Sequence, residues 1–333
     1  MNKEKVIDVQ DLVVQFNSRQ GKVTAINNIN FDIRKGEVFG LVGESGSGKS
    51  TTGLAILQLL AKTGKIQSGK IMFEGENLVK KDQRWINKKI RGNKISMVIQ
   101  NPQNALNPVF TVGEQIIDVL KYNNYMHSSN KKDFKKKAIE ILSEMGIADS
   151  NYRIDEYPHQ FSGGMKQRVM MAMAFISNPS LLIADEPTTA LDVTVEAQIL
   201  DLLRGLVDKY QTSVLYITHD LSVIHEITDR TAVMYAGNIV EMAPTIELFD
   251  NPIHPYTKGL LSCLPGKNKR DEILPTIPGK VPGLANLPAG CNFCERCDES
   301  LPVCRDNEPE LIKIKDNHYV SCFRYNEFQE GGD

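Results

Sequence analysis

Apolar and polar residues alternate from Val6 to Phe16 and again at Ile29, Phe31 and Ile33, the period-two pattern of strands that bury one face. Lys35-Gly36 supplies a turn after the second run. Glu37 to Val42, Ile95 to Ile99, Leu181 to Ala184 and Val214 to Thr218 are short and almost continuously apolar, as strands read when both faces are covered. Elsewhere the period is helical. Ser50 to Leu60 carries apolar residues at Leu54, Ile56, Leu57, Leu59 and Leu60. Val112, Ile116 and Leu120 form a second helical stripe, and Phe134, Ala138, Ile141, Leu142 and Met145 form a third, which Gly146 stops. The pattern predicts an α/β fold: a mixed, mainly parallel core sheet flanked by helices, an antiparallel edge sheet near the N-terminus, and a helical insertion between Gln100 and Ser162.

Composition divides the chain further. Ten of the fifteen prolines lie between residues 244 and 333, and five of the six cysteines lie between 291 and 322. We therefore expect a large domain over 1–244, with a helical subdomain at about 101–165, and a small extension rich in cysteine and proline over 245–333. The 333 residues, 41% hydrophobic and 24% charged, can bury a sizeable core. A net charge of −2 gives no field for gathering nucleic acid, and the lysines at 131, 132, 135, 136 and 137 read as a solvated helix face. No apolar run approaches the roughly 18 to 20 residues of a membrane helix. The polar start, Met1 to Lys5, lacks the apolar core of a signal peptide. The expected place is the cytoplasm, with any membrane association coming through partners.

The chemistry concentrates in four motifs. Gly43-Glu44-Ser45-Gly46-Ser47-Gly48-Lys49-Ser50 joins an apolar strand to a helix, the context of a phosphate loop. Its glycines let backbone N–H groups surround an anion at a helix N-terminus; Lys49 then serves the β- and γ-phosphates and Ser50 a Mg²⁺ ion. Phe161-Ser162-Gly163-Gly164-Met165 opens a helix and offers a second anion site. Leu181-Leu182-Ile183-Ala184-Asp185-Glu186 is a strand that ends in two carboxylates, Asp185 suited to the Mg²⁺ shell and Glu186 to polarising a water as general base. His219 follows the Val214 to Thr218 run, at the strand end where ligands of open α/β sheets collect.

In this order and spacing the motifs resemble the ATP-binding subunit of an ABC transporter, a phosphate-loop NTPase. The resemblance implies that Gly43, Glu44, Ser45, Gly46, Ser47, Gly48, Lys49, Ser50 and Thr51 bind ATP, and that Phe16 stacks on adenine where the family usually has tyrosine. It makes His219 the switch histidine at the γ-phosphate, and Gln100 the glutamine that touches Mg²⁺ and the attacking water. It also implies that Ser162, Gly163 and Gly164 bind the ATP of an opposing subunit, with Asp192, in Ala190-Leu191-Asp192, reaching across the same interface. The family's usual Leu-Ser-Gly-Gly-Gln is departed from at Phe161 and Met165.

Cys291, Cys294, Cys297, Cys304 and Cys322 fall in a chain expected to be cytosolic, where disulfides are disfavoured, so a metal is the leading account. Four thiolates suit zinc or an iron–sulfur cluster, and one thiol is spare. The spacing resembles the C-terminal extension of the dipeptide, oligopeptide and nickel importer ATPases, whose Cys-x5-Cys-x6-Cys-x17-Cys arrangement is associated with a 4Fe-4S cluster; that selects Cys291, Cys297, Cys304 and Cys322 and leaves Cys294 as a substitute ligand or a free thiol. Gln100-Asn101-Pro102 through Leu106-Asn107-Pro108, and Asn251 to Thr257, are typical of the same subfamily. The resemblance implies an ATP-hydrolysing subunit at the cytoplasmic face of the membrane that drives import of di- or oligopeptides. A paralogous ATPase, two permeases and an extracytoplasmic binding protein are its implied partners. Nickel or another small solute is the alternative cargo. A soluble ABC ATPase acting on DNA or ribosomes, and a metal-sensing module, are the rival functions.

Overall fold

The computed structural model describes residues 4–19, 21–100, 105–123, 130–189, 191–264 and 276–325. Met1, Asn101 and Pro102, Ala190, and the side chain of Lys131 lie outside them, as do parts of the expected helical subdomain at 101–104 and 124–129. The chain forms two compact units. One is built mainly from Lys80–Leu215, the other from Ile7–Ile33, Glu37–Val79 and the chain from Tyr216 onward.

In the first unit the strands Ile95–Val98 and Leu181–Asp185 pair in parallel, Ile95 opposite Leu181 and Val98 opposite Ala184. The Leu181–Asp185 strand is buried along its whole length, as its unbroken apolar sequence requires. Ile99, expected in the first of these strands, lies beyond its end and is 45% exposed. The helices Val112–Tyr122 and Lys131–Glu144 pack together through the predicted stripes, with Val112, Ile116, Leu120, Phe134, Ala138, Ile141 and Leu142 buried. Thr111 and Glu114 close a capping box at the start of the first helix. Gly146, at a φ of 73°, ends the second as the sequence predicts. The helices Gly163–Phe175 and Val193–Tyr210 follow.

The second unit contains two sheets. The antiparallel one has the order Gly21–Arg34, Lys5–Ser18, Gly64–Phe73, Glu76–Asn77. The other is mixed: Val38–Val42 pairs in parallel with Arg230–Tyr235, which is followed outward by Asn238–Pro244, His318–Val320 and Ile312–Lys315, all antiparallel. A mixed sheet, an antiparallel sheet and a helical part are the fold class expected from sequence. Two buried networks fix the mixed sheet. Arg230 Nη1 donates to Glu37 Oε1 at 3.1 Å at one end, while Val38 N–H reaches Asp229 Oδ2 at 2.8 Å. Farther along, the fully buried Glu241 carboxylate accepts from Ile253 N–H (2.8 Å) and His254 N–H (2.9 Å) and lies 2.7 Å from His318 Nε2. A buried charge persists only when its oxygens are satisfied in this way. Glu241 therefore ties the chain around residue 254 and the late strand at 318 to one point.

The helix expected over Ser50 to Leu60 is shorter, Lys49–Ile56. Gln58 takes a left-handed conformation (φ 52°), its N–H bonds Ala55 O, and Leu59 N–H bonds Leu54 O, a helix-ending arrangement usually served by glycine. Gln58 also donates its side-chain amide to Leu78 O. Helical periodicity therefore runs on past the helix, and Leu59 is 45% exposed.

Candidate functional site

The second unit carries the phosphate loop. Val38–Val42 delivers the chain into it and Lys49–Ile56 leads away, so the strand–loop–helix context is present. The loop's conformation is enforced by backbone crowding. A Cβ on Gly43 would stand 2.1 Å from Met234 O; Gly48, at a φ of 106°, would place one 2.7 Å from Ala25 O. Neither position admits a side chain. Gly237 N–H bonds Ser47 O at 3.0 Å and Thr52 N–H bonds Gly48 O at 2.9 Å, holding the loop to its neighbours. Lys49 is 5% exposed, and its Nζ donates to Gly43 O (2.7 Å) and Glu44 O (2.9 Å), so the ammonium lies inside the curl of the loop. Ser45, Gly46 and Ser50 are on the surface and Thr51 is half-buried.

Phe16, near the end of Lys5–Ser18, pairs with Gly64 and is half-buried. A Cβ at Gly64 would meet its ring at 2.6 Å, so the ring lies across a glycine that supports one face. His219 follows Ser213–Thr218 and is exposed, and Asp220 next to it caps the helix Leu221–Ile227 by accepting from Ser222 N–H at 2.7 Å.

The first unit holds the carboxylates. Asp185 ends its strand and is 8% exposed. Glu186 has a left-handed backbone (φ 46°), a sparsely populated conformation for a residue with a side chain. Its Oε2 accepts from Gln100 Nε2 at 2.5 Å and from Thr189 Oγ1 at 3.1 Å. Gln100 and Glu186, singled out separately in the sequence, are thus brought together. Ser162 caps Gly163–Phe175, accepting from Met165 N–H at 3.3 Å, and Asp192 caps Val193–Tyr210, accepting from Val195 N–H at 3.0 Å. These two helix starts adjoin: a Cβ on Gly164 would lie 2.7 Å from Val195 Cγ1.

The cysteines converge in the second unit. Cys291, Cys294, Cys297, Cys304 and Cys322 line one small cavity, which His254 and Phe293 also border. All are free thiols. Burial raises the pKa of Cys291, Cys294, Cys297 and Cys322, pushing Cys291 up to about 12. The donor chemistry suits a thiophilic metal, since thiols alone face the cavity in number. The spacing is less favourable: among the described residues no three His, Cys, Asp or Glu side chains are arranged to hold a metal ion.

Sequence reasoning missed three residues beside these motifs. Thr189 steadies Glu186. Tyr256 Oη accepts from Glu44 N–H at 3.0 Å, and Arg296 Nη1 donates to Glu44 Oε1 at 3.0 Å. Thr189 could have been found, since it lies three residues from Glu186 in a tight turn. Tyr256 lies in the Asn251 to Thr257 passage that the sequence singles out, but nothing there points to Glu44 as its partner or to Arg296; the two stand 212 and 252 positions away from Glu44.

A phosphate loop fed by a sheet strand, a strand ending in Asp185-Glu186, and a serine-capped glycine helix define the class as an ATP-binding cassette. Residues 26–189 match the ABC transporter family, and residues 240–304 match the oligopeptide/dipeptide transporter C-terminal region. The chain belongs to the ATP-binding proteins of ABC transporters, which hydrolyse ATP with Mg²⁺ to drive transport and act with membrane permeases. It is 46% identical to the oligopeptide transport ATP-binding protein AppD of Bacillus subtilis, over 97% of each chain. It is 45% identical to the probable peptide ABC transporter ATP-binding protein y4tR of Sinorhizobium fredii, over 97% of this chain and 96% of that one. Among solved structures it resembles the dimeric ATP-binding cassette MJ0796 bound to ADP and Pi, with a TM-score of 0.64 and 28% identity over 72% of this chain and 98% of the other. Among the described residues no helix is long and apolar enough to cross a membrane.

Proposed function

We propose that this chain powers the import of peptides as the ATP-hydrolysing subunit of an ABC transporter, with Glu186 as its general base. The observation that carries the assignment of the base is the Glu186 carboxylate itself, held by Gln100 at 2.5 Å and Thr189 at 3.1 Å directly after the buried Asp185. A carboxylate fixed by two neutral donors keeps an oriented oxygen with which to polarise water. In this reading the nucleotide-binding part is 1–244, with its helical subdomain at about 101–165, and 245–333 is an extension.

The roles divide by chemistry. The loop Gly43 to Thr51 receives the phosphates, Lys49 meeting the β- and γ-oxygens with a charge already drawn into the loop, and Phe16 stacks on adenine. Ser50, Gln100 and Asp185 would hold Mg²⁺; a hydroxyl, an amide oxygen and one carboxylate suit a hard cation that keeps waters and phosphate among its ligands. When bound there, such an ion would neutralise charge on the phosphates. His219 hydrogen-bonds the γ-phosphate. Ser162, Gly163, Gly164 and Asp192 complete the ATP site of an opposing cassette, so that two cassettes close on two nucleotides and hydrolysis lets them part. The opposing cassette is a paralogous ATPase, and two permeases and an extracytoplasmic binding protein complete an importer at the cytoplasmic face of the membrane.

The names of the curated relatives, which specify oligopeptide, dipeptide or peptide transport, favour peptides over nickel as cargo. For the extension we propose a 4Fe-4S cluster on Cys291, Cys297, Cys304 and Cys322, supported by the convergence of these thiols on one cavity, with zinc as the chemical alternative. Iron, sulfide and zinc contents of anaerobically purified protein decide between them.

Glu186→Gln is expected to lower turnover by about 10²-fold or more while ATP still binds. Near-normal turnover in that variant would remove Glu186 as the base. Recovery of the chain from native membranes with two permeases and a related ATPase is the expected partner set; recovery with ribosomal or DNA-repair proteins and no permease would overturn the transport assignment.

A further inference from the structure

The phosphate loop contains a carboxylate, Glu44, which is an electrostatic liability where polyphosphate is to bind. Its surroundings counter that liability from outside the loop. Arg296 Nη1 donates to Glu44 Oε1 at 3.0 Å, and the arginine side chain is only 6% exposed against 32% for Glu44. Arg296 is itself held on every side. Its Nε donates to Pro278 O at 2.9 Å, its Nη2 to Ile277 O at 3.4 Å and its Nη1 also to Tyr235 Oη at 3.3 Å, while the guanidinium lies over the rings of Tyr235 and Phe293. The backbone of Glu44 is fixed separately, its N–H donating to Tyr256 Oη at 3.0 Å. Tyr256, Tyr235 and Phe293 pack ring against ring with centroids 4.6 to 5.3 Å apart. Burial and the adjoining Glu44 charge hold the Tyr256 phenol well above its ordinary range, so it stays a neutral partner for the amide.

We infer that Arg296 and Tyr256 are positioning residues for ATP binding: Arg296 masks the Glu44 carboxylate and Tyr256 fixes the Glu44 amide, so that the cysteine-rich extension presets the phosphate loop for polyphosphate. The inference rests on the reading of residues 43–51 as the ATP site. The physical basis is twofold. A loop already held in one conformation loses less entropy on binding, and a neutralised carboxylate does not oppose the phosphates. Arg296 stands between Cys294 and Cys297, so the same short segment serves the cysteine cavity and the loop.

The test uses the full chain, MgATP and MgADP binding by equilibrium methods, steady-state ATP hydrolysis, and thermal melting. Arg296→Gln is expected to raise the MgATP dissociation constant and KM about tenfold while kcat changes less than about twofold. Arg296→Lys, which keeps the charge, should recover most of that loss. Adding Glu44→Gln to Arg296→Gln should also recover most of it, because no carboxylate is left to mask. Tyr256→Phe keeps the ring and removes the acceptor, and is expected to weaken MgATP about fivefold. It serves if Arg296→Gln does not fold. The loss on Arg296→Gln should be smaller for MgADP, which carries less charge. If Arg296→Gln and Tyr256→Phe lower the melting temperature but leave MgATP affinity within about twofold, these residues only stabilise the fold and the inference fails. Lys49→Ala separates the two layers: full MgATP affinity in that variant would overturn the ATP-site reading itself, whereas lost affinity there with unchanged affinity in the other two overturns this inference alone.

Discussion

The phosphate loop at 43–50 and the cysteine cavity at 291–322 belong to the same compact unit, yet they are built in opposite ways. The loop is contiguous, and its functional groups are largely backbone amides whose directions follow from glycines that only one conformation accommodates. The cavity's five thiols are spread over irregular chain and two short turns, the last of them, Cys322, lying just beyond the strand His318–Val320. A contiguous backbone device needs little help from elsewhere; a dispersed side-chain device depends on every segment that brings its members together. The Arg296–Glu44 pair joins the two, and so offers places to test how far one governs the other.

The largest expected effect falls on the loop. Lys49→Ala should weaken MgATP on the order of 10³-fold, measured by equilibrium binding, because a buried ammonium aimed into the loop has no substitute. Retained affinity would mean that the loop is not the anion site.

Next comes the cavity's dependence on pH. Burial holds His254 down to about 4, and its Nδ1 accepts from Tyr256 N–H at 3.0 Å, a bond that protonation removes. The folded state therefore binds this proton less readily than the unfolded chain. His254 contributes its full stability above about pH 6.5 and loses it as pH falls from there to about 4, about 3 kcal/mol in all. Melting temperature against pH should show a fall in that window that His254→Gln flattens; an unchanged slope would remove His254 as its source.

Smaller again, Gly48→Ala should cost roughly 2 kcal/mol through its φ of 106° and the approach to Ala25 O, read by denaturant unfolding. A neutral outcome would mean that the loop relaxes more easily than its contacts indicate. The smallest effect is expected at Cys294, which the proposed ligand set leaves out. Cys294→Ser should alter iron content and ATP affinity by less than about twofold, whereas Cys304→Ser should strip the iron; loss of iron in the first variant would put Cys294 in the set.

Much of this was legible in the sequence because it is encoded over short distances. The alternation from Val6 to Phe16 became a strand, the apolar run ahead of Asp185 became a fully buried one, and Gly146 ended a helix where its residue type said it should. The first helix was misjudged for an equally local reason: Leu59 and Leu60 continue its period, but Gln58 turns left-handed and bonds its side chain to Leu78 O, a partner outside any window that periodicity inspects. The strands Gly64–Phe73 and Glu76–Asn77 escaped notice because polar residues interrupt their alternation.

What the sequence determined by itself was the conformation of the loop, the caps and the buried strands, together with the identity of the groups able to meet phosphate. Glycine, proline, capping residues and apolar period act through forces that reach only a few residues along the chain. The tertiary structure alone decided that Gln100 meets Glu186, that five thiols face one cavity, and that Glu44 is masked by Arg296 and fixed by Tyr256. Those pairings join residues up to 252 positions apart, and hydrogen bonds and ion pairs act over a few ångströms of space regardless of separation along the chain.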